Sequence, residues 1–432
     1  MKNGERTGKK SLQTGGTGRK SRKRPARVVG WEPHGEYRMK AIKIAMLIVV
    51  AWCGSNSSPA QTWTQTSAPS NSWTTIATSA DGSKMAASAK NGIWISTNSG
   101  GTWTQASPPD TNWVSVVLSA DGSQMAAITS NLVYISTDMG ATWASNVVAN
   151  NAGSSLMGSI ASSANGNTLV VGFMGGPIDI STNSGTTWAA CWWGTNSLWT
   201  SHGPPQGYRG WTSLGSSADG SKLVATGGGL CASTNSGSTW TDISGITTAL
   251  SVAISANGNT LASVGNRLVG SWLVFTSTNF GITWAPFYPP TGNARHVAVS
   301  ADGTRLAAVF DDGGIYTSTN SGSTWTSNKV AGVSWYSAAS SADGNILIAV
   351  EQHGGIWTCR TTPSPKLSLA PSSASFTLAW TVPSTNFVMQ QSSDLQNWAD
   401  MTNQPVLNFT NLQNEAVLPP PVGDVFYRLK TP

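Results

Sequence analysis

Short apolar runs with polar residues between them follow one another along most of this 432-residue chain. Trp73-Thr-Thr-Ile-Ala-Thr-Ser79 is followed by Lys84-Met-Ala-Ala-Ser88, and then by Gly92-Ile-Trp-Ile-Ser96. Runs that alternate with period two predict β-strands, and this region has none of the 3.6-residue periodicity of a helix. The pattern predicts an all-β chain.

Two short motifs separate these runs at regular intervals. The first, Ser-Ala-Asp/Asn-Gly, occurs seven times, beginning at Ser79, Ser119, Ser163, Ser217, Ser255, Ser300 and Ser341. The second reads Ser96-Thr-Asn-Ser-Gly-Gly-Thr-Trp103 in its first copy and occurs six times, beginning at Ser96, Ser136, Ser181, Ser233, Ser277 and Ser318. An Asp-Gly pair between two strand-like runs is typical of a hairpin turn. Each repeat is therefore predicted to be a four-stranded meander.

The spacing and the number of copies predict a closed ring. Copies of the second motif start 40 to 52 residues apart, and a period of this size indicates a radial β-repeat. The seventh repeat ends at Cys359 without its Thr-Trp strand, whereas Gln61-Thr-Trp-Thr-Gln-Thr-Ser67 supplies such a strand near the start of the repeats. We predict a seven-bladed β-propeller over 61–360, closed by its N-terminal strand so that no sheet edge stays free.

The second motif resembles the Asp-box, or BNR repeat, of sialidases, the sortilin receptor domain, some endoglucanases and the photosystem II assembly factor. The resemblance covers all of 61–360, although the third motif position is Asn everywhere except at Asp138. It implies a structural turn whose Trp packs between neighbouring blades. We therefore expect a framework role for Trp63 and for the six motif tryptophans, Trp103, Trp143, Trp188, Trp240, Trp284 and Trp325.

The basic charge of the chain lies in its leader. Residues 1–43 hold thirteen Lys or Arg and three Glu, a net charge of +10, so the rest of the chain carries −4 and a nucleic-acid partner is not indicated. Residues 39–60 have the charged start, short apolar run and small-residue end of a signal peptide, and the run is too short for a stable membrane span. We predict cleavage near Ala60 and a secreted, periplasmic or cell-surface protein. Residues 1–38 are interpreted as an over-extended start, or else as a basic cytoplasmic extension on a signal anchor.

A second domain is predicted beyond a linker at 361–365. Runs at 366–370, 375–382, 387–392 and 425–429 alternate at period two, with Trp380 as a candidate core residue. Residues 366–432 resemble the fibronectin type III-like β-sandwiches that are appended to exported bacterial proteins.

Candidate ligand contacts lie in the loops that differ between repeats, because both repeated motifs occupy one face of the ring. The loop at 189–210 is the longest, and Arg267 and Arg295 belong to the same variable set. Trp faces could stack on sugar rings, and arginines could pair with a carboxylate. The predicted ligand is a glycan or an extracellular or periplasmic protein, with these candidate contacts: Trp192, Trp193, Trp199, Tyr208, Arg209, Arg267 and Arg295.

Four further tryptophans stand six residues before a Ser-Ala-Asp-Gly serine, near the expected channel mouth, where they either stack on a ligand or fill the ring: Trp73, Trp113, Trp211 and Trp335. An assembly factor that binds a membrane-protein partner is a further alternative.

An enzyme is the less favoured interpretation. Asp311, Asp312 and Glu351 occupy equivalent loops of adjacent repeats, and a glycoside hydrolase needs two carboxyl groups on either side of the scissile bond. The arginine motif of sialidases is missing from the start of the repeats, so sialidase activity is disfavoured. Cysteines and histidines show no metal-ligand spacing, and no metal or cofactor is expected.

Overall fold

The chain forms antiparallel sheets wherever its structure, a computed structural model, describes it. The described residues are 61–106, 112–146, 148, 156–174, 177–191, 210–243, 245–266, 272–361, 367–372, 375–381, 388–403, 405–420 and 425–430. All of them belong to one unit of the chain, Ala45–Pro432. The predicted leader and signal peptide, 1–60, lie outside the described residues.

The repeat region contributes strands of two to seven residues. In chain order they are β1 (Trp63–Gln65), β2 (Trp73–Thr78), β3 (Met85–Ala89), β4 (Gly92–Ser96), β5 (Thr104–Gln105), β6 (Ser115–Leu118), β7 (Met125–Ile128), β8 (Val133–Ser136), β9 (Ala144–Asn146), β10 (Met157–Ser162), β11 (Leu169–Phe173), β12 (Ile178–Ser181), β13 (Ala189–Cys191), β14 (Ser213–Ser216), β15 (Leu223–Thr226), β16 (Leu230–Ser233), β17 (Thr241–Ile243), β18 (Thr248–Ile254), β19 (Leu261–Asn266), β20 (Leu273–Ser277), β21 (Ala285–Phe287), β22 (Ala294–Val299), β23 (Leu306–Phe310), β24 (Gly314–Ser318), β25 (Thr326–Lys329), β26 (Trp335–Ser340), β27 (Ile346–Glu351) and β28 (Ile356–Arg360).

These strands make seven four-stranded sheets within the described part of 61–361. Six are simple meanders of consecutive strands, from β2–β5 to β22–β25. The remaining sheet has the order β1-β28-β27-β26, because β1 pairs antiparallel with β28 and sets Trp63 opposite Cys359. The first strand of the repeat region thus completes the sheet of the last repeat.

The Ser-Ala-Asp-Gly turns tie the sheets into a ring. In the first copy the Ser79 hydroxyl donates to Asp81 (2.6 Å) and accepts the backbone N–H of Lys84 (3.0 Å), while Gly82 takes a left-handed φ of 70°. The alanine N–H of each copy donates to the alanine carbonyl of the next copy at 2.6–2.9 Å, and Ala342 donates back to Ala80. Seven backbone hydrogen bonds therefore close a circle, which we call the alanine ring, made of Ala80, Ala120, Ala164, Ala218, Ala256, Ala301 and Ala342.

The second motif builds a turn beside the first. Ser96 donates to the Asn98 side chain (3.0 Å) and accepts the N–H of Gly100 (2.9 Å). Ser99 and Gly100 are both left-handed, with φ of 56° and 85°. The Ser99 N–H donates to the carbonyl of Ser83 (2.8 Å), so the two motifs of one sheet lie against each other on the same face.

Hydrophobic cores lie between neighbouring sheets. One such core joins Ile93 of β4 to Val116 of β6 and Tyr134 of β8, with the motif residue Trp143 packed against it. Each of the other motif tryptophans is partly buried against such a core. Trp63 is buried in the core of the last sheet, where its ring centroid lies 5.9 Å from that of Trp335. Apolar packing between sheets thus accompanies the hydrogen-bonded ring.

The C-terminal residues form two further sheets. Their strands are β29 (Ser368–Pro371), β30 (Phe376–Thr381), β31 (Val388–Ser392), β32 (Ala399–Asp400), β33 (Val406–Asn408), β34 (Gln413–Leu418) and β35 (Phe426–Lys430). One sheet has the order β29-β30-β34-β33 and the other β32-β31-β35. A shared core contains Trp380 of the first sheet and Met389 of the second. Four of these seven strands, β29, β30, β31 and β35, coincide with the alternating runs of the sequence.

Candidate functional site

A central cavity of about 730 Å³ runs between the sheets of the ring. Its wall is made by the first strand of each repeat, β2, β6, β10, β14, β18, β22 and β26. Hydroxyl side chains recur in this wall, for example Thr75, Ser115, Ser159 and Ser337. The wall is therefore rich in groups that both donate and accept hydrogen bonds.

Lys90 and Arg295 line the cavity on the face opposite the repeated turns, which we call the mouth. The mouth also includes Asn112, Ser130 and Tyr336, and Tyr336 is 41% exposed. Among the described residues that line the cavity there is no Asp or Glu. The charged groups of the lining are therefore cationic, which favours a ligand with negative charge.

His296 adds a neutral donor to the cavity wall. Burial lowers the pKa of His296 to about 4. Nδ1 accepts the N–H of Ala338 at 3.4 Å, so the neutral ring carries its proton on Nε2. At neutral pH the imidazole can donate a hydrogen bond but brings no charge.

The opposite end of the cavity is narrow, and alanines line it together with serine and threonine residues. A smaller space of about 160 Å³ adjoins the main cavity at Ser162, Ser216, Ile254 and Val299, which line both. Alanines of the alanine ring surround it, and Leu412 of the C-terminal sheets also lines it. Leu407, Phe409 and Leu412 pack against the alanine ring.

The structure brings two predicted site residues together, Asp311 and Arg295. Arg295 Nη2 lies 3.4 Å from Asp311 Oδ2, and the Arg295 side chain is 43% exposed. Asp311 also accepts the N–H of Asn293 (2.9 Å). One of the arginines expected to bind a ligand carboxylate thus faces a carboxylate of its own chain.

Asp312 and Glu351 are held by neighbouring groups of their own chain. Burial opposes ionisation of Asp312, but hydrogen bonds from Thr291 (2.7 Å) and Gly314 (3.1 Å) and the Lys329 ammonium at 3.3 Å outweigh it and lower its pKa. Glu351 accepts the indole N–H of Trp357. Because its pKa is lowered, Asp312 is a carboxylate at neutral pH and has no proton to give to a leaving group.

The four tryptophans near the mouth belong to the framework. Trp73, Trp113, Trp211 and Trp335 are at most 2% exposed. The Trp73 indole donates to the Gly354 carbonyl (2.9 Å), and the Trp335 indole donates to the Gly313 carbonyl (3.1 Å). Of the two interpretations of these residues, the described geometry matches the one in which they fill the ring.

Most of the other predicted ligand contacts lie outside the described residues: Trp192, Trp193, Trp199, Tyr208, Arg209 and Arg267. The chain returns from the long loop at Gly210, which pairs with Met174, a residue of the cavity lining. Sequence reasoning missed Lys90, Ser130 and Tyr336. Aligning the repeats would have found the first two, because both lie in the turn after the second strand of a repeat.

The described residues hold neither a metal site nor a membrane-spanning helix. No three His, Cys, Asp or Glu side chains of the described ranges converge in an arrangement that could hold a metal ion. Nor does the described part of the chain contain a helix of the length and apolarity needed to cross a membrane.

The fold is shared with proteins of solved structure. No protein-family model matches the sequence, and no curated protein matches it. A structure of YCF48 bound to D1 peptide superposes with a TM-score of 0.53 at 14% identity, covering 70% of this chain and 97% of that one. YCF48 from Cyanidioschyzon merolae gives 0.54 at 15% identity, covering 69% and 98%. The β-propeller domain of Myceliophteria thermophila Cps50 (Swd1) gives 0.55 at 14% identity, covering 70% and 100%. The chain therefore has a β-propeller fold.

Proposed function

We propose that this chain is a non-catalytic scaffold that binds an acidic segment of a partner protein at the mouth of its propeller channel. The observation that carries the proposal is the lining of the mouth, whose charged residues, among those described, are Lys90 and Arg295. Arg295 already contacts Asp311 at 3.4 Å, so Lys90 and the exposed part of the Arg295 side chain would receive the acidic segment. Loops on a rigid β-framework commonly carry binding function. The exposed Tyr336 adds an amphipathic contact to the same lining.

The wider architecture supports this assignment. We take the seven sheets as seven Asp-box blades of one ring closed by β1, and the two C-terminal sheets as a fibronectin type III-like sandwich. The predicted signal peptide would take the protein to the periplasm, the cell surface or the medium, where its partner would be found. The neighbour YCF48 has been solved with a bound peptide, which shows that a propeller of similar shape can receive one.

A protein ligand is favoured over a glycan. Sugar recognition usually relies on exposed aromatic faces, and among the described residues the four tryptophans predicted near the mouth, Trp73, Trp113, Trp211 and Trp335, are buried. A glycoside hydrolase is less favoured still, because Asp311, Asp312 and Glu351 each hold a neighbouring group of their own chain. An uncharged glycan would leave the cationic lining unexplained.

The test uses the full chain and a library of displayed peptides. We expect the selected peptides to be rich in Asp and Glu. The double variant Lys90→Gln/Arg295→Gln should weaken their binding about tenfold or more at low salt, because two charge pairs are lost. The control is Lys84→Gln/Arg305→Gln, which removes two cations that lie against the Gly122 and Gly344 turns of the repeated face.

Other results would contradict the proposal. Equal weakening by both double variants would point to non-specific attraction. A glycan-array ligand whose binding withstands Lys90→Gln/Arg295→Gln but not the loss of Trp192, Trp193 and Trp199 would favour the glycan alternative. Hydrolysis of an oligosaccharide that Glu351→Gln abolishes would make the protein an enzyme.

A further inference from the structure

We propose that one loop of the C-terminal sheets acts as a stopper, sealing the narrow end of the propeller channel. The loop spans Asn408–Leu412, from the last residue of β33 to the residue before β34, and we call it the stopper loop. Its effect is to turn a channel that would pass through the ring into a blind pocket with the mouth as its single entrance. This inference does not depend on what the mouth binds.

The stopper loop is held in shape by hydrogen bonds of its own. The Leu412 N–H donates to the Asn408 carbonyl (2.8 Å), and the Thr410 N–H donates to the Asn408 side chain (2.8 Å). The side-chain amides of Asn408 and Asn411 both donate to Glu415 Oε1, at 3.0 and 2.7 Å. Glu415 therefore holds the loop through two side-chain hydrogen bonds.

Leu412 has a backbone conformation that leucine rarely adopts. Its φ is 54°, in the left-handed region where Gly or Asn is usual. A branched apolar residue at such a position is strained, and strain of this kind persists where the surrounding structure holds it. Here the Leu412 side chain lines the narrow space inside the alanine ring. Packing of this side chain is thus a physical reason for leucine at a position that suits glycine.

The alanine ring is shaped to receive such a side chain. Its seven alanines are 5–8% exposed, and their methyl groups surround a space of about 160 Å³. Larger side chains at these positions would close the ring by themselves, whereas alanine leaves an opening. Leu407 and Phe409 pack on the same ring beside Leu412, so the contact is apolar over three residues.

Without the stopper loop, the channel would be open to solvent at both ends. The narrow space and the main cavity share four lining residues, so they adjoin within the ring. The amides that close the ring belong to the alanines that line the narrow space. Whether water reaches these amides from the narrow end therefore depends on whether the Leu412 side chain packs against the alanine ring.

Hydrogen exchange of the full-length chain tests the proposal. Leu412→Gly removes the side chain and relieves the left-handed strain, so the loop itself should still form. We expect amides of the seven Ser-Ala-Asp/Asn-Gly turns to exchange at least about tenfold faster in this variant than in the parent. Leu412→Asn, which also tolerates a left-handed φ, should give the same result.

Leu395→Gly is the matched control. Leu395 is also a left-handed leucine of the C-terminal sheets, with a φ of 64°, but its side chain is 37% exposed and does not belong to the core at the alanine ring. Its replacement should leave exchange in the turns unchanged. The stopper proposal is wrong if Leu412→Gly leaves the turn amides as protected as in the parent. It is equally wrong if both glycine variants accelerate exchange to the same extent, because that would reflect general loosening.

Discussion

The two ends of the propeller channel differ in how far their residues repeat from one sheet to the next. The narrow end consists of seven nearly identical turns whose alanines bond in a circle, and apolar side chains of another part of the chain cover it. The mouth consists of unlike residues, among them Lys90, Asn112 and Tyr336, that no repeat duplicates. The repeated turns thus build the closed scaffold, and the residues that differ between repeats provide the charged, polar and aromatic groups of the mouth.

The largest expected effect is on the free energy of unfolding. It should distinguish two adjacent residues, one in the framework and one at the mouth. Trp335 is 1% exposed and packs against Trp63 and Trp357, whereas Tyr336 faces the mouth. Trp335→Ala should lower the free energy of unfolding by about 3–5 kcal/mol, because it leaves a large cavity. Tyr336→Ala should change it by no more than about 0.5 kcal/mol. Denaturant unfolding measures both, and equal losses would mean that the mouth is part of the framework.

A smaller effect on the free energy of unfolding tests whether different loops on the mouth side tolerate substitution equally. Gly313 and Gly332 are both left-handed, with φ of 84° and 79°. A Cβ at Gly313 would lie 2.3 Å from the Val330 carbonyl oxygen, whereas one at Gly332 would meet no atom within 4 Å. Gly332→Ala should cost about 1–2 kcal/mol of unfolding free energy for strain alone.

Gly313→Ala should cost at least about 1 kcal/mol more than Gly332→Ala, since backbone atoms must move to admit the methyl group. The same unfolding measurement checks the pair. If the two variants were equally stable, the loop after β23 would be more pliable than its contacts indicate.

The smallest effect concerns the single acidic copy of the second motif. Hydrogen bonds from Thr142, followed by one from Ser136, lower the pKa of Asp138 from 3.8 to about 2. Because the folded-state value is the lower one, the carboxylate stabilises the fold above about pH 4, and this contribution is lost as the pH falls towards 2. Asp138→Asn removes that titration while restoring the residue found in the other copies.

The stability difference between the parent and Asp138→Asn should therefore be constant above about pH 5 and should shift against the parent between pH 4 and 2. Unfolding curves at a series of pH values measure it. In the Asn copies the geometry is kept by reversing one hydrogen bond: Asn98 donates its amide to Thr102 (3.0 Å), whereas Thr142 donates to Asp138 (2.6 Å). A difference that did not vary with pH would show that Asp138 is unimportant for acid stability.

Local patterns of the sequence were sufficient for the strands and turns of the repeats. Ser79, Asp81 and Gly82 have their roles because the turn needs a hydroxyl, an acceptor and a left-handed residue in that order. The β-propeller fold follows from such turns at a regular period. The burial of Trp73 and Trp211 could not be predicted, because a tryptophan near a channel mouth can face either solvent or the neighbouring sheet.

The candidate site was harder to predict, since it depends on which loops meet. The pairing of Arg295 with Asp311 links residues of one sheet whose side chains have many other possible partners in the sequence. One missed signal was readable in the C-terminal region. Ser392, Asp394 and Trp398 repeat the turn chemistry of the second motif: the serine donates to the aspartate (3.0 Å), Leu395 is left-handed, and the Trp398 indole donates to the Leu395 carbonyl (3.2 Å).

The pairing of β1 with β28 has a consequence for how this protein folds. The two strands come from opposite ends of the repeat region, so the last sheet cannot be completed before the final repeat has been synthesised. Until then, β1 has no partner and the growing array of sheets ends in unpaired strands, which can attract other chains. Contacts between residues this far apart in sequence also slow folding, because a very long loop must close. We therefore expect closure of the ring to be the late, rate-limiting step of folding, and the step most exposed to aggregation.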